Sequence, residues 1–245
     1  MSGLLELPNV TLIMIETREH KLARLALDAC VSKVFFGDVI TFTDRPGMFH
    51  DISRVVKVED WPTKEGWSRF LWNEVPLHVR TSHMLVIQWD SWVVDPGMWR
   101  ADFERYDYIG APWWYTDGLN VGNGGFSLRS TALMRFVRDR RAIFPCVNAW
   151  DDDQLCRKYR PTLQERYGFV WAPGDVASAF SFECVPPKPE ERQFGFHGIF
   201  NWPKVINGDD IGRRVRLASE SRYIRGTKNM WDQLVKAYPE AGKYE

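Results

Sequence analysis

The stretch "HMLVIQWDSWV", His83 to Val93, decides how this chain is read. Met84 to Ile87 is a continuous apolar run, which suits a strand covered on both faces of a sheet. The run then ends on Gln88, Trp89, Asp90 and Ser91. A core strand has no use for a carboxylate, because a buried charge is costly unless it is paired or holds a metal. In open α/β sheets ligands bind outside the carboxyl ends of the strands. Asp90 therefore marks the place where a ligand is expected, the alternative being a turn cap.

The segments upstream make the sheet parallel. "NVTLIMIE" (9–16) is a second apolar run, and "TREHKLARLALDACVSK" follows with Leu22, Leu25, Ala26 and Ala29 at helical spacing. "GDVITFTD" (37–44) is another strand, broken by Pro46-Gly47. Strand, helix and strand in succession form a βαβ unit, which builds parallel sheets. "RVVKVE" reads as a short strand, and "KEGWSRFLWNEVPLHV" reads as a helix with Trp67, Phe70, Leu71 and Val75 on one side.

Beyond Val93 the pattern is less regular. "YDYIGAPWW" is a short strand entering a Trp-rich loop. "GLNVGNGGFSLRS" is a Gly/Asn-rich loop that runs into a helix near "TALMRFVRDRR". "WDDDQLCRKYRPTLQERYG" opens on three acids and continues as a helix interrupted by Pro161, and "VPPKPEER" (185–192) is a loop. The last segment, 201–245, reads as a basic tail: residues 211–230 hold Arg213, Arg214, Arg216, Arg222, Arg225 and Lys228 against Glu220 alone. One domain with two lobes is expected, about 9–110 and 111–200, followed by that tail.

Composition excludes several classes. The 32 Lys and Arg balance 32 Asp and Glu. This leaves no overall basic field for nucleic acid or an anionic membrane. No run approaches the ~18 apolar residues of a membrane span, and no signal peptide is visible, so a cytoplasmic location is expected. Cys30, Cys146, Cys156 and Cys184 make no C-x-x-C pair, which argues against a zinc cluster, and Cys30 is expected to be a buried thiol. Neither G-x-G-x-x-G nor a Walker A motif is present.

Four groups carry candidate chemistry. Asp90 with Ser91 could bind a hard divalent cation, Mg²⁺ or Mn²⁺, through oxygen. In "NVGNGGFSLRS" (120–130), Gly124-Gly125 allow close approach to the backbone, and Asn120 and Asn123 can adopt left-handed dihedrals. Asp151-Asp152-Asp153 either complement a helix dipole or include a general base. His197, set among aromatics and glycines in "FGFHGIF", is a candidate metal ligand.

Taken together and in this order, the segments resemble the GT-A glycosyltransferases, and more narrowly the GT-A-like domain-of-unknown-function 5672 family. The resemblance runs from about residue 10 to 200. It rests on "ITFTD", "SHMLVIQWDSWVVDP", "YDYIGAPW", "VGNGGFSLRS", "DDDQLCRKYR" and "FGFHG". It implies an α/β, GT-A-like (Rossmann-like) fold: a mostly parallel central sheet flanked by helices, with irregular loops on the acceptor side. It also implies a nucleotide-diphosphate sugar as donor and transfer to a hydroxyl.

The family's strand-end D-x-D motif is Gln88-Trp89-Asp90 here, so the first acid is replaced by Gln. The resemblance then makes Asp90 and His197 the metal ligands, and Asp151 or Asp152 the base, with inversion at the sugar. Thr17, Arg18, Thr43 and Asp44 at the first two strand ends are expected to flank the donor with Gln88 and Ser91, and Arg213 or Arg214 to clamp its diphosphate. Trp113, Trp114, Asn123, Gly124 and Gly125 are expected to line the sugar and acceptor pocket. The acceptor is open: glycan, lipid, protein or hydroxylated DNA base, the last not favoured by the net charge. A nucleotidyltransferase, which would want two close metal-binding acids, and a non-catalytic nucleotide- or carbohydrate-binding module are the competing readings.

Overall fold

Alternation of side chains along β1 (Leu5–Ile15) explains why its last four residues, Leu12 to Ile15, are all apolar. Leu12 and Met14 enter one core and Ile13 and Ile15 another, on the two faces of one sheet. In this computed structural model, which describes residues 3–60, 63–147, 150–188, 190–206, 208–227 and 229–244, β1 leads through α1 (His20–Val31) to β2 (Val34–Thr43) and β3 (Arg54–Lys57). The helix expected next is two pieces, α2 (Lys64–Asn73) and α3 (Val75–His78). Pro76 accounts for the break, since it cannot donate a backbone N–H within a continuous helix.

β4 (His83–Ile87) is buried along its whole length, as its sequence requires. Leu85 and Ile87 join the core of Leu12, whereas Met84 and Val86 join the core of Ile13. The strands β5 (Trp92–Val93), β6 (Tyr108–Ile109) and β7 (Phe126–Ser130) follow. The main sheet has the order β3-β2-β1-β4-β7-β6. β1 pairs in parallel with β2 and β4, β2 pairs in parallel with β3, and β7 runs antiparallel to both β4 and β6. The chain moves outward from β1 in one direction and resumes at β4 on the other side. That reversal of strand order is a topological switch point, where open α/β sheets hold their ligands. The α/β architecture expected from the sequence, a mostly parallel central sheet flanked by helices, is the one observed.

β7 corrects the expected loop over 126–130. Phe126 and Leu128 enter the core, but Ser127 and Arg129 on the other side are fully buried polar residues. Their polarity hides the strand from a hydropathy reading.

After α4 (Thr131–Asp139), the acids begin α5 (Asp151–Asp153), which continues as a π-helical turn over Gln154–Lys158 and then as α6 (Arg160–Tyr167). Pro161 sits in the first turn of α6, where a missing N–H is tolerated. Next come α7 (Gly174–Phe180), β8 (Ser181–Phe182) and β9 (Gly195–Phe196), and β5-β9-β8 form a second small sheet.

The expected basic tail is folded. It contains α8 (Trp202–Val205), α9 (Asp209–Glu220), α10 (Arg222–Gly226) and α11 (Met230–Ala237). Trp202, Val215, Ile224, Trp231 and Leu234 bury against the core that holds Leu12 and Leu22. Arg213, Arg216, Arg222 and Arg225 are exposed between apolar residues at helical spacing, on the outer faces of amphipathic helices, whereas Arg214 is buried; the charge count concealed both facts. Lys228 lies outside the described residues. Among the described residues no helix is long and apolar enough to cross a membrane.

Candidate active site

A cleft of about 370 Å³ opens at the carboxyl ends of β1 and β4. Glu16, Thr17 and Arg18 reach it from the end of β1, and Gln88, Trp89 and Asp90 from the end of β4. The turn after β4 is closed by Ser91, not by Asp90. The Gln88 N–H donates to Ser91 Oγ at 2.9 Å, and Ser91 Oγ lies 2.6 Å from the Gly125 carbonyl, to which it donates. Asp90 is left out of this work. It is 6% exposed, and its Oδ1 is a buried oxygen with no hydrogen-bond partner.

Asp90 Oδ1 instead faces His197 Nε2 at 3.4 Å. The imidazole is held from its other side, where Nδ1 is 2.8 Å from Glu183 Oε1. Gln88 Oε1 lies 3.3 Å from Nε2, and Asn123 Nδ2 lies 3.1 Å from Nδ1. Burial opposes a charge on His197, but Asp90 and Glu183 on either side raise its pKa well above the ordinary imidazole value. Burial also opposes the Glu183 charge, yet the hydrogen bond and charge of His197 hold that carboxyl below its usual value. Glu183 precedes a proline-rich loop, and no spacing in the sequence ties it to His197.

The Asn-Gly-Gly turn serves this arrangement. Asn123 has φ +67°, the left-handed conformation expected for it. Its Oδ1 accepts the N–H groups of Gly125 and Phe126 at 3.0 and 3.1 Å. Asn123, Gly124 and Gly125 line the cleft, and a Cβ at Gly125 would lie 2.2 Å from His197 Nε2, so the missing side chain also makes room for the histidine.

The three acids separate into different roles. Asp151 Oδ2 accepts Arg129 Nη1 at 2.7 Å, and both side chains are buried. Asp152 faces the cleft. Its Oδ2 accepts the Gly124 N–H at 2.7 Å and its Oδ1 the Asp153 N–H at 2.9 Å. Burial, and then the neighbouring Asp151 charge, push the Asp152 carboxyl up to about 7. Glu16 is likewise pushed up to about 7 by burial, although it accepts the N–H groups of Arg18 and Glu19 at 2.7 and 3.0 Å.

The cleft also gathers residues that the sequence reading missed: Lys64 from the start of α2, Trp150 ahead of the acids, and Tyr223 from α10. Lys64 Nζ lies 4.0 Å from the Trp150 ring centroid, and Arg18 lies over Tyr223 at 4.9 Å. Burial, then Arg18, hold the Lys64 ammonium below its usual value, with Asp152 and Asp90 acting in the other direction. Trp150 adjoins the acids directly, so its place in the cleft was legible. The N-cap residue Thr63 marks where α2 begins but not what it faces.

Other expected site residues lie elsewhere. Thr43 is buried and accepts the Arg45 N–H at 3.2 Å, and Asp44 is held by His20 at 2.6 Å. Ser91 is a buried structural group. Arg214 is buried against the Trp92 ring at 4.2 Å and donates to the Leu25 carbonyl, while Arg213 is exposed on α9. Neither arginine lines the cleft, which corrects the expected clamp. Trp113 packs over Gly122 and Trp114 is 63% exposed, both outside the cleft lining.

A family described as "Protein of unknown function (DUF5672)" matches residues 59–197, more than half of the chain. No curated protein matches it. Among solved structures, the apo form of the glycosyltransferase GlyE of Streptococcus pneumoniae TIGR4 aligns at 11% identity over 82% of this chain and 55% of that one, with a TM-score of 0.46. This chain therefore spans about half the length of that enzyme. The mannosyltransferase PcManGT from Pyrobaculum calidifontis, in complex with GDP-Man and Mn²⁺, aligns at 15% identity over 99% and 76% of the two chains, with a TM-score of 0.46. The galactosyltransferase LgtC, in complex with donor and acceptor sugar analogs, aligns at 10% identity over 76% and 86%, again with a TM-score of 0.46. These likenesses carry nothing beyond the fold class already read from the strand order.

Proposed function

The chain belongs to that family of unknown function, and from the cleft it carries we propose that it is a glycosyltransferase moving a sugar from a nucleotide-diphosphate sugar to an acceptor hydroxyl. The supporting observation is that one cleft, at the switch point of the sheet, collects the Asp90–His197 pair and the Asp152 carboxylate.

A divalent cation fits the first pair. Asp90 Oδ1 is a buried oxygen without a hydrogen bond that faces His197 Nε2 at 3.4 Å, and the imidazole is held at Nδ1 by a carboxylate, as metal-ligating histidines commonly are. Among the described residues no group of three or more His, Cys, Asp or Glu side chains is arranged to hold an ion. Asp90 and His197 would therefore hold Mn²⁺ or Mg²⁺ together with oxygens from the donor and water, His197 giving up its Nε2 proton on binding. When bound, the cation offsets the negative charge that grows on the departing diphosphate.

The chain's own groups perform the remaining chemistry. Asp152 accepts the proton of the attacking hydroxyl. A base with a pKa near the working pH combines availability with driving force, and burial beside Asp151 brings Asp152 to about 7. The Gly124 and Asp153 N–H groups aim its two oxygens, and the Asp151–Arg129 pair anchors the turn that carries it. Attack from the face opposite the leaving group inverts the sugar centre. Glu183 positions His197.

The test is a thermal-shift panel of nucleotide sugars with and without Mn²⁺. A ligand at about 100 times its dissociation constant stabilises by about 2.7 kcal/mol, a visible shift. At least one donor should raise Tm in wild type more with Mn²⁺ than without it, and Asp90→Asn should lose that Mn²⁺-dependent gain. No shift with any donor, or an equal Mn²⁺-dependent gain in the variant, would refute the assignment.

A further inference from the structure

We propose that Arg18 and Lys64 form a cationic clamp for the donor's diphosphate, one that works beside the metal and persists without it. The proposal rests on reading the cleft as a nucleotide-diphosphate site, and it replaces the clamp expected from Arg213 and Arg214.

Two observations place the charges. Arg18 follows the end of β1 and Lys64 opens α2, and both line the cleft that holds Asp90 and His197. The start of α2 brings the positive end of a helix to the same wall. Among the described residues Lys64 makes no salt bridge, and its ammonium rests on the Trp150 ring. Arg18 rests over Tyr223. An aromatic face attracts a cation more weakly than a desolvated phosphate oxygen does, so Lys64 can leave the Trp150 ring for an arriving anion.

The charge balance of the cleft calls for this arrangement. Glu16, Asp90, Asp152 and Glu183 all border it. A diphosphate entering among them is repelled unless fixed cations meet it. Gln88 stands where the resemblance expects an acid, which leaves Asp90 and His197 to hold a metal with less negative charge. Arg18 and Lys64 supply two positive charges that no metal exchange can remove. With no anion present they repel each other, and Arg18 is one of the groups disfavouring the Lys64 charge. A bound diphosphate relieves that repulsion.

The experiment is calorimetric titration with UDP, GDP and ADP and with uridine, guanosine and adenosine, each in Mn²⁺ and in EDTA. It uses the full chain as wild type, Lys64→Met, Arg18→Met and Lys64→Arg. In EDTA, wild type should bind its preferred diphosphate at least about tenfold more tightly than the matching nucleoside, the scale of one charge-assisted hydrogen bond. Lys64→Met and Arg18→Met should each lose about tenfold for the diphosphate and keep the nucleoside affinity, which also reports an intact fold. Lys64→Arg should retain most of the diphosphate affinity.

Equal diphosphate binding by wild type and both Met variants in EDTA would overturn the clamp. So would a parallel loss for nucleoside and diphosphate, or loss of all diphosphate preference in wild type when Mn²⁺ is removed. If wild type binds diphosphates in Mn²⁺ and only these results fail, the clamp falls while the donor site stands. If wild type binds none in either buffer, the donor site falls with it.

Discussion

Replacing Asp152 by Asn should lower turnover and raise stability, two effects that a helix-capping acid would not combine. The carboxylate is pushed from an ordinary 3.8 to about 7, by burial first and then by Asp151. The difference is about three units, and at about 1.4 kcal/mol per unit it sets an upper bound of about 4 kcal/mol on what ionised Asp152 costs the fold. Water reaching the cleft screens much of that cost, so a gain of about 1 kcal/mol is expected from the neutral amide. A raised folded pKa gives stability that is complete below the unfolded value and lost as pH rises through the folded one. The gain in Asp152→Asn should therefore be absent near pH 4, grow towards pH 7 and level off above it.

Turnover should fall by ~10²–10⁴-fold, since the amide cannot take the acceptor proton, while donor affinity holds. In wild type the rate should drop roughly tenfold per pH unit below about 7, as the base becomes protonated. Melting temperature, donor affinity and transfer rate should be followed on the same samples between pH 5 and 9. A lower melting temperature at pH 8 with an unchanged rate would refute the reasoning, because that is what loss of a favourable helix-dipole charge gives.

Asp151→Asn should act differently: it leaves the buried Arg129 guanidinium without its counter-ion, at a cost of about 3–5 kcal/mol visible as a large loss of denaturant midpoint. Gly125→Ala should displace His197, since the added Cβ would lie 2.2 Å from Nε2, and calorimetry should then show Mn²⁺-dependent nucleotide binding lost. Arg213→Ala should change neither donor affinity nor stability measurably. Arg214→Ala should lower Tm through lost packing on Trp92 and leave the donor dissociation constant unchanged.

What the chain reveals before folding depends on how locally each feature is written. β1, α1, β2 and β4 are legible because apolar runs and helical spacing lie within single segments, whereas the strand order that makes the switch point is seen only in the fold. Asp90 is legible for the same reason, as an acid at the end of a strand with no polar partner in sequence. β7 is not, because buried Ser127 and Arg129 read as surface until Asp151 is seen beside the guanidinium. Glu183 and Lys64 reach the cleft through loop and helix placement, which no spacing encodes. Arg213 and Arg214 misled in the opposite sense: a run of charge looked like a ligand site, whereas Arg213 lies on the outside of a packed helix and Arg214 on its buried face with Ile211, Val215 and Ala218.

The central claim is that this cleft breaks the bond between a sugar and a nucleoside diphosphate. It is tested most directly by measuring nucleoside diphosphate released from a panel of nucleotide sugars, with and without Mn²⁺, in wild type and Asp90→Asn. The account expects Mn²⁺-stimulated release from at least one donor by wild type, because transferases leak sugar to water, and a loss of that stimulation in Asp90→Asn. No release from any donor, or equal release by the variant, would contradict it.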